Sequence, residues 1–221
     1  MCGLFGYTGK IPAKPHAIKL LWIFSRYRGT DSTGLYRNKL IYRTWNDYHS
    51  RKSGDSIDAV YGLTLRETVE HHTIIGHCRA KSVGFVTENN THPFEYKLDN
   101  GRWIFAHNGT IKNIEALAKH YNIPRQYTET DSQTFGHILA ERGFDVLKEY
   151  TGTAAFSLYN EDEDILYLWR GASKHDRNQI ENERPLYLYQ GRNYYYWASD
   201  ANYLATAMNT EKNIVVIEPN T

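Results

Sequence analysis

The stretch TAAFSLYNEDEDILYLWR, residues 153–170, reads as two strands, Thr153–Tyr159 and Ile165–Arg170, broken by a polar turn. Three more strand candidates follow: Pro185–Tyr189, Tyr194–Ser199 and Ile214–Glu218, with a short helix around Ala201–Met208. Upstream, helical periodicity covers Ile114–Tyr121 and Asp131–Arg142, and Thr130 or Asp131 can cap the second of these helices. Strands precede them at Thr73–Ala80 and Trp103–His107, and a helix is expected over Ile57–His71. Nearer the start, Gly3–Thr8 is a short strand, and Pro15 opens a helix that runs to about Tyr27. Gly29–Gly34 is a glycine-bounded loop, and Leu35–Arg37 and Leu40–Arg43 form a hairpin across Asn38-Lys39. Strands, then helices, then strands predict an α+β domain with stacked antiparallel sheets. Ser173–Arg184 is a long polar loop, and no repeat or linker divides the chain, so residues 1–221 are expected to form one domain.

Composition excludes several classes. A chain of 221 residues buries roughly 70% of its unfolded surface and needs no staples. Its net charge of +1 argues against a nucleic-acid binder, which carries a basic surplus. The longest apolar run, Ile18–Phe24 interrupted by Lys19, is too short to span a bilayer. Two cysteines make no disulfide framework, and Met-Cys-Gly-Leu-Phe-Gly is neither a signal peptide nor a lipidation site. A cytoplasmic location without a membrane anchor is the expectation.

Cys2 carries the first chemical clue. Removal of Met1 would leave a free amine on the residue that bears the thiol. The amine has a reference pKa of about 7.7–8.0 and the thiol about 8.5. One residue then supplies nucleophile and base, with a bridging water expected to carry the proton. Alone, a second-position cysteine is weak evidence. Its context is stronger: Arg28-Gly29-Thr30-Asp31-Ser32-Thr33-Gly34 follows the first helix, and His77-Cys78-Arg79-Ala80-Lys81-Ser82-Val83-Gly84 follows a strand. Ala106-His107-Asn108-Gly109 ends another strand, Glu129-Thr130-Asp131-Ser132 opens a helix, and Ala198-Ser199-Asp200 closes a late strand. Each has a plain structural reading: Asn-Gly as a tight turn, Arg79 as a surface ion pair, Asp131 as a cap. Their joint order is harder to obtain by chance.

On these motifs the chain resembles the class II glutamine amidotransferase (glutaminase) domains of the N-terminal-nucleophile hydrolases. The resemblance runs from Cys-Gly-Leu-Phe-Gly at 2–6 to Ala-Ser-Asp at 198–200. It implies a four-layer αββα sandwich and hydrolysis of free L-glutamine without metal or cofactor. By position, Cys2 matches the nucleophile, and the Asn108 side chain and Gly109 N–H match the oxyanion hole. Two donors suit a tetrahedral intermediate that concentrates charge on one oxygen. Arg79 matches the grip on the α-carboxylate, where a planar fork suits two oxygens. Asp131 matches the partner of the α-ammonium, Ser82 replaces a threonine beside the substrate, and His92 matches a position near the pocket. Arg28 and Asp31 are expected to brace the loop beside Cys2.

The chain also departs from that pattern. Ala80, followed by Lys81, stands where relatives carry an aromatic residue in a loop that closes over glutamine. Gln133 stands where an acid is common, and no physical reason is evident for it. Cys78 should point away from Arg79 by strand alternation and be a structural thiol. The 10 histidines form no metal-ligand motif, and the adjacent pair His71-His72 faces different ways. The tyrosine-rich Tyr194–Trp197 reads as a sandwich strand. The resemblance also implies an ammonia-accepting synthase, expected as a separate partner or reached by self-assembly. Two other readings stay open: an N-terminal-nucleophile amidase for another γ-glutamyl amide, and a silent binding module that keeps the fold.

Overall fold

Side-chain alternation along the strands builds the layers of this protein, seen here in a computed structural model that describes residues 2–45, 73–82, 84–126, 128–172 and 184–220. In β1 (Gly3–Gly9), Leu4 points to one side, while Phe5 and Tyr7 lie on the other side or near it in a separate cluster. Helix α1 (Pro15–Arg26) follows, then β2 (Ser32–Arg37), β3 (Leu40–Trp45) and β4 (Thr73–Arg79). Next come β5 (Phe94–Leu98), β6 (Gly101–Ile111), α2 (Ile114–Tyr121) and α3 (Asp131–Arg142). The chain continues through β7 (Gly152–Asn160), β8 (Ile165–Ala172), β9 (Tyr187–Gln190), β10 (Tyr194–Ala198), α4 (Ala201–Met208) and β11 (Ile214–Val216).

Two sheets result, one ordered β11-β9-β10-β1-β4-β2-β3 and one ordered β5-β6-β7-β8. Neighbouring strands are antiparallel throughout. Ile18, Leu21 and Trp22 of α1 and Leu204 of α4 cover the outer face of the larger sheet with Phe5, Tyr7 and Tyr196. Leu117 of α2 and Phe135 and Ile138 of α3 cover the smaller sheet with Phe105, Phe156 and Trp169. Between the sheets lie Leu4, Ile75, Trp197, Ile104, Ala106 and Tyr159. The α+β architecture is thus a helix–sheet–sheet–helix sandwich with two stacked antiparallel sheets. Burial of each large apolar side chain stabilises it by about 1.5–3 kcal/mol.

Two local readings give way to strand pairing. The segment Gly29–Gly34 is not wholly a loop, because β2 begins at Ser32, opposite Arg79 of β4 and Trp45 of β3. Asn108-Gly109 is no tight turn: β6 runs on to Ile111 while its pairing with β7 continues through Asn108↔Ala155 and Gly109↔Ala154. Strand β5 has no counterpart in the sequence reading. The hairpin does turn at Asn38-Lys39, both with left-handed φ of 51° and 64°, which suits a two-residue turn. Cys78 is fully buried under α1, where its sulfur approaches the Trp22 carbonyl and the Thr33 hydroxyl. The helix expected over Ile57–His71 and all but the end of the loop Ser173–Arg184 lie outside the described residues. Among the described residues no helix is long and apolar enough to cross a membrane.

Candidate active site

Cys2 stands at the head of β1, a strand flanked by β10 and β4 in the middle of the larger sheet. Those neighbours fix it. The Ala80 N–H donates to Cys2 Sγ at 3.3 Å, and the thiol lies 3.3 Å from the Ala80 carbonyl oxygen that accepts from it. The Cys2 carbonyl accepts from Arg28 Nε at 3.0 Å and from Asn108 Nδ2 at 3.2 Å. Burial pushes the thiol pKa up, while the Ala80 N–H and the positive charges of Arg79 and Arg184 pull it back. Attack by a thiol whose pKa burial raises calls for a base close to the sulfur.

Asn108 crosses from the smaller sheet to meet it. Besides Cys2, its Nδ2 donates to Ser199 Oγ at 2.8 Å, and its Oδ1 lies 2.9 Å from His77 Nε2. The carboxamide oxygen can only accept, so His77 carries its proton on Nε2. Burial foremost, with the nearby Arg79 charge, lowers the His77 pKa to about 3, so the ring is neutral. Gly109 follows at a φ of +147°, and a Cβ there would overlap the Thr153 carbonyl oxygen of β7. Only glycine places its backbone N–H at this point. Gly29 is a second close approach: a Cβ would press on the Arg79–Ala80 peptide that lines the thiol.

Cys2, Arg28, Ser82, Asn108 and Gly109 share one cleft of about 190 Å³, together with Ala80, Lys81, Thr110, Arg184 and Pro185. Arg79 and Asp131 do not line it. Arg79 is buried and donates from Nη1 to the Phe85 carbonyl at 2.9 Å, within the electrostatic reach of Cys2, Asp31 and Asp131. Asp131 begins α3, whose cap is Thr130, accepting from Gln133 N at 3.2 Å. The Asp131 carboxylate accepts from Ile111 N at 2.7 Å, and burial raises its pKa against that bond. Asp31 accepts from Lys81 N at 2.6 Å and so ties the loop after β4 to the loop before β2. His92 lies one layer back, its ring 4.1 Å from that of His77 and 4.4 Å from that of Phe94. Neither of its ring nitrogens has a hydrogen-bond partner among the described residues.

The sequence reading gave no role to three residues that the structure brings to the site. His77 and Ser199 sit inside quoted motifs, but only the strand neighbours show that both hold Asn108. Arg184 ends a polar loop, and nothing in its composition signals a place on the cleft wall. No group of three or more His, Cys, Asp or Glu is placed to hold a metal among the described residues.

A sandwich of this layering with a thiol heading a central strand defines the architecture of an N-terminal-nucleophile hydrolase. A family model of class-II glutamine amidotransferases matches residues 40–154, just over half of the chain. The chain belongs to that enzyme family. It is 31% identical over 180 residues to the isomerizing glutamine–fructose-6-phosphate aminotransferase of Gluconobacter oxydans, covering 76% of this chain and 28% of that protein. The enzyme of the same name from Streptococcus pneumoniae R6 is 30% identical over 214 residues, covering 91% of this chain and 32% of its own. The chain thus spans about a third of the length of these relatives. Among solved structures, the glutamine phosphoribosylpyrophosphate amidotransferase of B. subtilis superposes with a TM-score of 0.69 at 18% identity, over 99% of this chain and 46% of that one. A predicted glutamine amidotransferase from Pseudomonas aeruginosa superposes at 0.50 and 15% identity, over 100% and 95%. At these identities the likeness is one of fold.

Proposed function

We propose that residues 1–221 form one glutaminase domain that hydrolyses free L-glutamine and yields ammonia for transfer. The observation that carries this reading is the joint placement of the Cys2 thiol, the Asn108 carboxamide and the Gly109 backbone on one cleft. With Met1 removed, the Cys2 amine takes the thiol proton, through a bridging water, as sulfur bonds to the glutamine γ-carbonyl carbon. The carbonyl electrons move onto oxygen, where Asn108 and Gly109 N–H groups receive the charge. Collapse breaks the C–N bond, the proton passes to nitrogen, and ammonia leaves. Water then attacks the thioester, releases glutamate and restores the thiol. Arg79 holds the α-carboxylate and Asp131 the α-ammonium; both lie behind the cleft wall, and the electrostatic reach of Asp131 to Arg79 supports their serving one amino-acid head. Ser82 borders the substrate, Arg28 and Asp31 brace the loops beside Cys2, and His92 backs the pocket through His77.

The ammonia goes to an acceptor on a synthase partner, or is sheltered by self-assembly, a reading that membership of the class-II amidotransferase family supports. Lys81 and Ser82 are exposed at the cleft mouth, which also suits a γ-glutamyl compound with a larger leaving group. The test is release of ammonia and glutamate from glutamine, paired with the intact mass of the protein. Activity is expected only after loss of Met1, and none in Cys2→Ala. Retained Met1 with full activity, or an active Cys2→Ala, overturns the mechanism, and preference for a γ-glutamyl compound over glutamine selects the second substrate.

A further inference from the structure

Asn108 is held from three directions, and both hydrogens of its amide are engaged. Nδ2 has two hydrogens, and the structure places one on Ser199 Oγ at 2.8 Å and one on the Cys2 carbonyl at 3.2 Å. Oδ1 takes the His77 proton. Ser199 is closed too: its oxygen accepts from Leu4 N at 2.9 Å and from Asn108, and its hydroxyl donates to the Leu4 carbonyl at 3.2 Å. All three side chains are buried, with 1% exposure for His77 and Ser199 and 3% for Asn108. An oxyanion donor with no spare hydrogen has to give one up when substrate arrives. The longer bond, to Cys2, is the one that can be released, because Arg28 Nε already satisfies that carbonyl at 3.0 Å. The Ser199 bond is the shorter of the two and joins two fully enclosed side chains, so it is the one kept.

We propose that Ser199 is a positioning residue: its hydroxyl pins both the nucleophile strand at Leu4 and one N–H of Asn108, leaving the other N–H to exchange between the Cys2 carbonyl and the oxyanion. His77 grips the amide from the opposite side and keeps its oxygen turned away from the developing charge. This inference rests on the glutaminase reading above. It ties the end of β10 to the active site through the residue that follows the strand, which never touches substrate and lies 195 positions from Leu4 in the chain.

The test uses the full-length protein, processed to Cys2, as Ser199→Ala and as the near-isosteric Ser199→Cys, whose thiol is a weak acceptor. Three readouts separate positioning from general damage. Hydrolysis of glutamine and binding of glutamate γ-semialdehyde, whose aldehyde replaces the amide and adds reversibly to the thiol, both place charge on the former carbonyl oxygen. Alkylation of Cys2 by iodoacetamide displaces iodide and develops none on a carbonyl. In Ser199→Ala we expect kcat to fall about 10- to 100-fold, part of what loss of a whole oxyanion donor costs. Aldehyde affinity should weaken by the same factor, while KM and the alkylation rate stay within about twofold. Ser199→Cys should fall between, and it decides the matter if the alanine variant does not fold. Unchanged kcat, or an alkylation rate that falls in step with kcat, overturns the proposal. A wild-type protein that releases no ammonia from glutamine overturns the glutaminase reading itself, and the role of Ser199 with it.

Discussion

The cleft has two unlike sides. Its sheet side presents Cys2, at the head of β1, and Asn108–Thr110 of β6; Asn108 is buried there, and each of its polar atoms has a partner. Its rim, Ala80–Ser82, is a loop with an exposed Lys81 and Ser82, set by backbone contacts to Asp31 and to the Cys2 sulfur. A group that must receive charge at a fixed point benefits from preorganisation, because orienting it during the reaction costs free energy. A group that only selects what enters can sit on a loop and change without unfolding the sheets. The contrast predicts large, salt-insensitive effects from the sheet side and small, salt-sensitive ones from the rim.

Asn108→Ala should have the largest effect, lowering kcat for glutamine about 10²- to 10³-fold with little change in KM. Equal losses in KM and kcat would mean that Asn108 binds ground state and transition state alike. Gly109→Ala should then destabilise the fold by at least about 2 kcal/mol, because its φ of +147° and the Thr153 carbonyl leave no room for a methyl group. The urea midpoint measures it, and a loss below about 0.5 kcal/mol would show that this wall yields.

How much of this was legible in the residues themselves follows the same division. Cys2, Asn108 and Gly109 stand out only through their resemblance to class II glutaminase motifs; by residue type alone a second-position cysteine is weak evidence and Asn-Gly reads as a turn. Thr153–Tyr159 and Ile165–Arg170 match β7 and β8 closely because long, apolar strands report themselves. Strand β5 was illegible: Phe94 and Tyr96 do alternate with Glu95 and Lys97, but five residues after Pro93 look the same as a loop. The Asn-Gly pair misleads locally because its pairing with β7 lies some 45 residues away and overrides turn preference. Ser199 and His77 gain meaning only when β10, β1 and β4 lie side by side. Arg184 is a polar loop residue until the fold turns it onto the cleft.

Acid should weaken the sheet side next. Burial lowers His77 and His107 to about 3 and moves His92 well below its ordinary value. Their unfolded value is about 6.5, so between pH 6.5 and 3 the unfolded chain binds protons that the folded one refuses. Stability therefore rises with pH through that window and falls on acidification, by up to about 1.4 kcal/mol per pH unit for each histidine. Asp131, raised by burial, works the other way, since it holds its proton in the folded state at pH values where the unfolded carboxyl has lost it. Three groups against one leave a net loss, read as a falling urea midpoint between pH 6.5 and 4.5. A flat profile there would mean that water reaches these rings.

Lys81→Ala should give the smallest change and tests the rim directly. The side chain is exposed, with its ammonium 5.9 Å from the centre of the Phe85 ring. Its backbone N–H, which bonds Asp31, survives the substitution. What the variant removes is one solvent-screened positive charge at the mouth of a cleft that also holds Arg28 and Arg184. Exposed charges contribute roughly 0–1 kcal/mol, so KM for glutamine should change by less than about fivefold, with kcat unaltered. At ~0.5 M salt, where the screening length is only a few ångströms, wild type and variant should converge. A loss in kcat, or a KM difference that persists in salt, would mean that Lys81 is held against the substrate, and the division between a fixed wall and an adjustable rim would fail at this residue.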